Sequence, residues 1–330
     1  MDYRDLGDTG VEVSQLCMGT MSFGGAADEE TAAAMFRRCR EAGINFFDCA
    51  NVYEGGRSEE ILGRLIADCR DEVIVTSKGY FAMGDDQNAG GASRRHILAA
   101  VDGSLRRLNT DYIDIYFIHH YDCRTAIEDT LRALDDLIAQ GKILYPAASN
   151  FAAWQISKAL GLSAREGWAP FKCIQPMYNL VKRQAEVEIL PVAQAENLAV
   201  ITYSPLGGGL LTGKYGVSRR PPSGRLVDNE MYRARYGGDW VYQVADRFVG
   251  FARERGFDPV ALAVAWAGSH PAVTAPIIGA RNVEQLEHSL SAVDINMTAA
   301  LRAEISALSP APPPATDRSE AMGSGTYGLR

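Results

Sequence analysis

The sequence contains no apolar run that is long enough to cross a membrane. Its longest run, 260–267, has eight residues, whereas a transmembrane helix needs about 20 apolar residues. The N-terminal residues Met1 to Asp5 contain no apolar core of the kind that a secretory signal peptide requires. We therefore expect a protein with neither a signal peptide nor a membrane segment.

Cysteine pairs and an excess of positive charge are also missing. The six cysteines form no C-x-x-C pair, so we expect neither a zinc site nor a disulfide framework. Scattered reduced thiols of this kind are typical of cytoplasmic proteins. The net charge of −8 provides no basic footprint, and no nucleic-acid partner is expected.

The residues that are present alternate between strand-like and helix-like segments. Eight short apolar runs are predicted as strands, at 16–19, 44–47, 73–76, 113–118, 143–148, 173–175, 198–202 and 273–278. Segments between and after them are predicted as helices, at 29–42, 58–68, 93–108, 126–140, 152–160, 186–196, 241–255, 259–269 and 284–293. The segment 207–238 is predicted as an irregular insertion.

Eight consecutive βα units favour an α/β fold with a closed parallel sheet, the (β/α)8 or TIM barrel. We interpret the whole chain, 1–330, as a single barrel domain. Within it, 1–14 is predicted as a hairpin, 15–308 as the barrel, and the Pro-rich and Gly/Ser-rich segment 309–330 as a mobile tail. A doubly wound sheet is the alternative, but no G-x-G-x-x-G follows the first predicted strand.

Four side chains that can handle protons follow the ends of three consecutive predicted strands. Asp48 and Tyr53 follow the second strand. Lys78 follows the third strand and His119 the fourth. In a parallel barrel these strand ends share one face, where active sites are built. Each residue alone is explained by packing, capping or exposure, but the four together indicate a catalytic site.

The four groups suit hydride transfer to a carbonyl. Negative charge then builds on the carbonyl oxygen, and a proton must be delivered to it. A phenol is a poor acid at neutral pH unless a cation lies beside it. We therefore predict Tyr53 as the acid and Lys78 as the cation that tunes its pKa. Asp48 would hold Lys78 in place, and His119 would polarise the carbonyl or relay the proton.

Further motifs, spread from Tyr3 to about Leu308, indicate a family. The chain resembles an aldo-keto reductase of the branch that includes bacterial aldehyde reductases and potassium-channel β subunits. The family's fold is a (β/α)8 barrel, in agreement with the strand count. The matching motifs are LGDTG at 6–10, MGTMSFG at 18–24, FDCANVY at 47–53, Ser77-Lys78, Ile118-His119, ASNF at 148–151, QPMYNL at 175–180, YSPL at 203–206 and IGAR at 278–281.

The resemblance implies that Asp48, Tyr53, Lys78 and His119 form the family's catalytic tetrad and that the cofactor is NADPH. Ser149, Asn150 and Gln175 would bond the nicotinamide carboxamide, and Tyr203 would stack on its ring. Arg281 would face the 2′-phosphate, which suits a planar guanidinium. The cofactor positions are Gly19, Thr20, Met21, Asp48, Ser149, Asn150, Gln175, Tyr203, Ser204, Pro205, Leu206, Lys214, Gly279, Arg281, Gln285 and Ser289. His288 and Ser289 stand where the family usually carries Glu-Asn.

The implied activity is NADPH-dependent, reversible reduction of an aldehyde or ketone to an alcohol, without a metal. The partner would be a small carbonyl or alcohol substrate, and nothing in the sequence indicates oligomerisation. The substrate mouth is expected to involve Phe23, Tyr80, Phe81 and His120. Two alternatives stay open: a slow-turnover, NADPH-sensing regulatory subunit, and a sugar or polyol dehydrogenase that works in the oxidative direction.

Overall fold

Eight parallel strands close on themselves in the computed structural model, which describes residues 1–316. The two N-terminal strands pair antiparallel as a hairpin, β1 (Tyr3–Asp5) and β2 (Glu12–Ser14). The barrel strands, each paired with the next, are β3 (Cys17–Gly19), β4 (Phe46–Asp48), β5 (Ile74–Gly79), β6 (Ile113–Ile118), β7 (Ile143–Ser149), β8 (Cys173–Gln175), β9 (Ala199–Thr202) and β10 (Ala275–Ile278). Because β10 pairs back with β3, the predicted (β/α)8 barrel and hairpin are confirmed.

Helices surround the barrel, and polar caps set where several of them begin. Asp28 accepts a hydrogen bond from the Thr31 amide, and Ser93 accepts one from the His96 amide. Within residues 1–316, no helix has the length and apolarity of a membrane span. The helices are α1 (Glu29–Glu41), α2 (Arg57–Ile66), α3 (Arg94–Leu108), α4 (Ile127–Ala139), α5 (Ala153–Glu166), α6 (Ile189–Ala195), α7 (Arg225–Asp228), α8 (Glu230–Tyr236), α9 (Asp239–Glu254), α10 (Pro259–Gly268), α11 (Val283–Leu290) and α12 (Ala299–Ser306).

The structure adds three helices to those that the sequence predicts. The short helices α7 and α8 lie inside the segment 207–238, which was predicted to be irregular. Helix α12 follows the last predicted helix, has eight residues and buries only Ile305 fully. The predicted tail, 309–330, lies outside the described residues from 317 onward.

The hairpin closes the N-terminal end of the barrel. Leu6 and Val13 are fully buried and form one apolar cluster with inward-facing barrel residues, among them Phe46, Ile115 and Phe117. A second, larger cluster fills the space between the strands and the helices. The cleft that Tyr53 and His119 line lies at the opposite end of the barrel, at the C-terminal ends of the strands.

Candidate active site

The side chains predicted at the strand ends meet in one cleft. Lys78 Nζ donates hydrogen bonds to Asp48 Oδ2 at 2.7 Å and to Tyr53 Oη at 3.2 Å. Its third bond, 2.7 Å long, reaches the backbone carbonyl of Cys49. Lys78 is fully buried, whereas Tyr53 and His119 are half-buried and line the cleft. The phenol and the ammonium thus lie within hydrogen-bond distance of each other.

This pairing leaves the hydroxyl proton of Tyr53 available to the cleft. An ammonium can only donate hydrogen bonds, so the phenol oxygen accepts from Lys78 and its own O–H points elsewhere. Burial raises the pKa of Tyr53 to about 12, and the neighbouring Lys78 offsets only part of this rise. Lys78 thus acts on the pKa of Tyr53 in the predicted direction, but burial has the larger effect. At neutral pH the phenol keeps its proton, as a general acid must.

The charge of Lys78 depends on Asp48. Burial alone would lower the pKa of Lys78, but the Asp48 carboxylate and the Tyr53 phenol raise it above its ordinary value. A buried ammonium is tolerated only when it is paired and hydrogen-bonded. Asp48 therefore keeps Lys78 charged as well as oriented.

Asp48 is in turn held by the strands on either side of the cleft floor. Its Oδ1 atom accepts hydrogen bonds from Thr76 Oγ1 and from Gln175 Nε2, each 2.8 Å long. Ser149 Oγ donates to the backbone carbonyl of Gln175 at 3.0 Å. These bonds join β4, β5, β7 and β8 into a polar floor that includes three predicted cofactor residues, Asp48, Ser149 and Gln175.

His119 is neutral at physiological pH in this environment. Burial, followed by the positive charge of Lys78, lowers the pKa of its imidazole well below the usual value. Its Nδ1 atom is buried and has no hydrogen-bond partner among the described residues, so Nε2 is the nitrogen that reaches the cleft. The rings of Phe81 and Tyr53 contact it edge-on at centroid distances of 4.9 and 6.1 Å. A neutral imidazole in this position can exchange hydrogen bonds with a substrate oxygen.

Asn150 connects the histidine to the far wall of the cleft. Its backbone is left-handed, with φ of 59°, a conformation that asparagine tolerates better than most residues. The Nδ2 atom donates to the His119 carbonyl at 2.9 Å, and Oδ1 accepts from the Tyr203 hydroxyl at 2.7 Å. The Tyr203 ring is thereby fixed beside the tetrad, and Ser204 follows with the same left-handed φ.

A cluster of cations lines the other end of the cleft. Lys214, Arg225 and Arg281 all face this space. Burial, together with the charges of Arg281 and Arg225, lowers the pKa of Lys214, which shows how closely the three cations approach. No salt bridge involves them within residues 1–316. Like charges gathered without counterions favour a polyanionic ligand.

Beyond this cluster, the cleft reaches the last barrel helix. Gly279, Gln285 and Ser289 line it, and Gln285 Oε1 accepts from the Arg281 amide at 3.3 Å. His288 also lines the cleft, but its imidazole pairs with the carboxylate of Asp258. Gly19, Met21, Ser204, Pro205 and Leu206 complete the predicted cofactor residues that line this space.

Besides the buried Lys78, three predicted residues lie outside the cleft lining: Thr20, Phe23 and Tyr80. Phe23, predicted at the substrate mouth, is fully buried in the hydrophobic core, so a substrate cannot touch it. Thr20 is also fully buried, and its hydroxyl donates to the Asp48 carbonyl at 3.0 Å; it supports the floor. Tyr80 reaches the site through ring contacts with Phe81 and His120, both of which line the cleft.

Sequence reasoning missed Arg225 and Arg235. Both lie on the short helices of the segment 207–238, which the sequence did not resolve into elements. The signal that identifies them is the absence of a carboxylate partner, which only the structure shows. Within residues 1–316, no group of three or more His, Cys, Asp or Glu side chains is arranged to hold a metal ion.

Comparison with known proteins agrees with this geometry. The family model described as "Aldo/keto reductase family" matches residues 15–310. A probable voltage-gated potassium channel subunit beta of Oryza sativa subsp. japonica is 37% identical, over 89% of this chain and 92% of its own. An uncharacterized oxidoreductase, YrpG, of Bacillus subtilis (strain 168) is 36% identical, over 90% and 92%. The versiconal hemiacetal acetate reductase of Aspergillus parasiticus is 32% identical, over 90% and 94%. The chain therefore belongs to the aldo/keto reductase family of oxidoreductases.

Proposed function

We propose that the protein catalyses the NADPH-dependent, reversible reduction of an aldehyde or ketone to an alcohol, with Tyr53 as the general acid. The observation that carries this proposal is the 3.2 Å bond from buried Lys78 to Tyr53 at the wall of the cleft. It provides a protonated phenol whose conjugate base would lie next to an ammonium. Proton delivery and recovery at one oxygen both follow from this arrangement.

The cleft fits a nicotinamide dinucleotide phosphate. Its volume of about 830 Å³ lies within the range of pockets that hold ligands of this kind. Lys214, Arg225 and Arg281 offer three cations for phosphate groups at one end. Ser149, Asn150 and Gln175 offer amide and hydroxyl groups at the other end, beside the tetrad. A cofactor held there would supply the hydride.

The chain's own residues have distinct roles in this proposal. Tyr53 donates its proton to the carbonyl oxygen as negative charge builds there, and Lys78 stabilises the resulting phenolate. His119 donates a hydrogen bond to the same oxygen from Nε2, which requires the tautomer with the proton on that nitrogen. Asp48 keeps Lys78 in place through its 2.7 Å bond. In the oxidative direction Tyr53 recovers the proton.

We expect Tyr53→Phe to lower kcat by roughly 10²- to 10⁴-fold, the usual contribution of a general acid. NADPH affinity should stay nearly unchanged, because the ring and the cleft wall remain. Steady-state kinetics and a fluorescence titration of NADPH measure the two quantities. Tyr112→Phe is the control, since Tyr112 directly precedes β6 at the opposite end of the barrel. A Tyr53→Phe variant that keeps most of its rate would refute the acid assignment.

A second candidate function is a slow-turnover NADPH-sensing subunit. It is favoured by the relatives named as probable potassium channel β subunits. Such a protein would bind NADPH tightly and oxidise it slowly with every carbonyl. A panel of aldehydes and ketones, assayed in single and multiple turnovers, separates the two functions. Rapid multiple turnover of any small carbonyl supports the enzyme, and uniformly slow NADP⁺ release supports the sensor.

A further inference from the structure

Arg235 lines the cleft at the border of its cation cluster. It lies on α8, is half-buried, and forms no salt bridge or side-chain hydrogen bond within residues 1–316. The only acidic side chain that lines this part of the described molecule is Asp48, and Lys78 already neutralises it. A half-buried guanidinium without a counterion is poorly compensated, so it favours an anionic ligand.

Arg235 lies between the cation cluster and the tetrad side of the cleft. The guanidinium groups of Arg235 and Arg225 lie over the same Tyr232 ring, 5.2 and 5.7 Å from its centroid. The charge of Arg235 also acts on the hydroxyl of Tyr203. That hydroxyl bonds Asn150, which in turn bonds the His119 carbonyl. Arg235 can therefore reach a ligand that lies between the phosphate end and the tetrad.

The other three cations of the cleft can match the three phosphate groups of NADPH one to one. Lys214, Arg225 and Arg281 supply one cation for each phosphate, and Arg235 is the fourth cation of the lining. Arg235 can then pair with an anionic ligand that binds beside the cofactor.

We propose that Arg235 binds the carboxylate of an anionic carbonyl substrate; this inference rests on the proposed reductase function and specifies its substrate class. A guanidinium can bind a carboxylate through two parallel hydrogen bonds, which fixes both position and orientation. Exposed apolar side chains line the same cleft and suit the carbon skeleton between the carbonyl and the carboxylate. They are Met21, Phe81 and Met231, which are 39%, 41% and 54% exposed.

The test compares two carbonyl compounds that differ only in charge. The probes are 4-carboxybenzaldehyde and its methyl ester, whose aldehydes have similar reactivity. We expect the wild-type protein to reduce the acid with the higher kcat/KM. Arg235→Met should lower kcat/KM for the acid by roughly 10- to 100-fold, the usual effect of losing a charge-assisted pair, with little change for the ester. Arg235→Lys should retain part of the preference for the acid.

Arg233→Met is the matched control. Arg233 lies on the same helix, is exposed and does not line the cleft, but its side chain bonds the Val227 carbonyl. The variant removes one positive charge and one loop contact, and the acid-to-ester ratio should stay at the wild-type value. A wild-type protein without preference for the acid, or an equal loss of both substrates in Arg235→Met, overturns the carboxylate subsite while leaving the reductase function intact.

If neither aldehyde is reduced, the carbonyl panel decides the proposed function, and binding tests the subsite by itself. Calorimetric titration of the protein with 4-carboxybenzaldehyde and with the ester, in the presence of NADP⁺, measures the same contrast. Tighter binding of the acid that disappears in Arg235→Met supports the subsite. Equal binding of both compounds, or a preference that survives the substitution, overturns it.

Discussion

At the residue scale, burial and neighbouring charges together set the protonation states of Lys78 and Tyr53. Lys78 and Asp48 form a buried pair, and each would be costly without the other. Tyr53 contacts that pair at the cleft wall, where burial maintains its proton; under the proposed function the ammonium would stabilise the phenolate. The reductive reaction should consequently show no loss of rate from deprotonation of Tyr53 in the neutral range.

We predict that the preference for NADPH over NADH depends on Arg281. We expect Arg281→Ala to weaken NADPH binding by roughly 10- to 100-fold and to leave NADH binding nearly unchanged, because only NADPH has a 2′-phosphate. Equilibrium titration with both nucleotides measures this difference. Lys214→Ala is the contrasting variant, since a cation near the pyrophosphate should affect both nucleotides. Equal losses of NADPH and NADH affinity in Arg281→Ala would remove the 2′-phosphate role.

The convergence of the four tetrad residues could be predicted because a parallel barrel brings all strand ends to one face. That rule needs only approximate strand boundaries, and Asp48, Lys78 and His119 satisfy it. It does not reveal which end-of-strand side chain points inward. Phe23 was therefore assigned to the substrate mouth although it packs in the core. Arg235 was missed for a related reason, since no strand end positions it.

At the element scale, alternating strands and helices were predictable from their periodic apolar residues, and deviations occur where that pattern weakens. Helix α12 has only eight residues, and of its apolar side chains only Ile305 is fully buried, with Leu301 partly buried one turn away. Helices α7 and α8 are short, and tertiary packing of Leu226, Tyr232 and Tyr236 stabilises them. Length and amphipathicity therefore decided which helices the sequence revealed.

The packing of α2 against α3 depends on one glycine. A Cβ atom at Gly63 would lie 2.4 Å from the Leu108 carbonyl oxygen, and backbone cannot move aside as a side chain can. We expect Gly63→Ala to lower the free energy of unfolding by about 1–3 kcal/mol, the usual cost of overpacking, although alanine favours helix by about 1 kcal/mol. Chemical denaturation followed by circular dichroism measures this change.

Gly161 is the control for this prediction. It lies within α5, where an added Cβ would meet nothing within 4 Å. Gly161→Ala should therefore raise the free energy of unfolding by about 0.5–1 kcal/mol through helix propensity and reduced chain entropy. If both variants shift stability in the same direction, the contact between α2 and Leu108 does not limit residue size at position 63.

At the scale of the whole molecule, the half-buried His270 should make stability depend on pH. Burial, together with Arg302, lowers the pKa of His270 from 6.5 to about 4. Its Nδ1 atom accepts a 3.2 Å hydrogen bond from the Ala272 amide, which requires that nitrogen to be unprotonated. The native state thus disfavours the imidazolium that the unfolded chain forms readily.

The direction in which stability changes with pH follows from proton binding at His270. Below pH 6.5 the unfolded chain binds a proton at His270 that the native state does not bind until about pH 4. The contribution to stability is therefore complete above pH 6.5 and is lost as pH falls toward 4. We expect this loss to be on the order of 1–3 kcal/mol, which allows for partial exposure of the ring. His270→Gln should make the stability profile between pH 4 and 6.5 shallower, and parallel profiles would contradict the assignment.

Within residues 1–316, the hairpin closes one end of the barrel and the cleft opens at the other. With Leu6 and Val13 filling the hairpin end, nothing can pass through the barrel axis. A small reactant, its product and a large dinucleotide would all have to use the same opening. The ligand that lies nearest the opening must leave before the others can leave. The architecture therefore imposes an order of ligand binding and release, whatever the individual affinities.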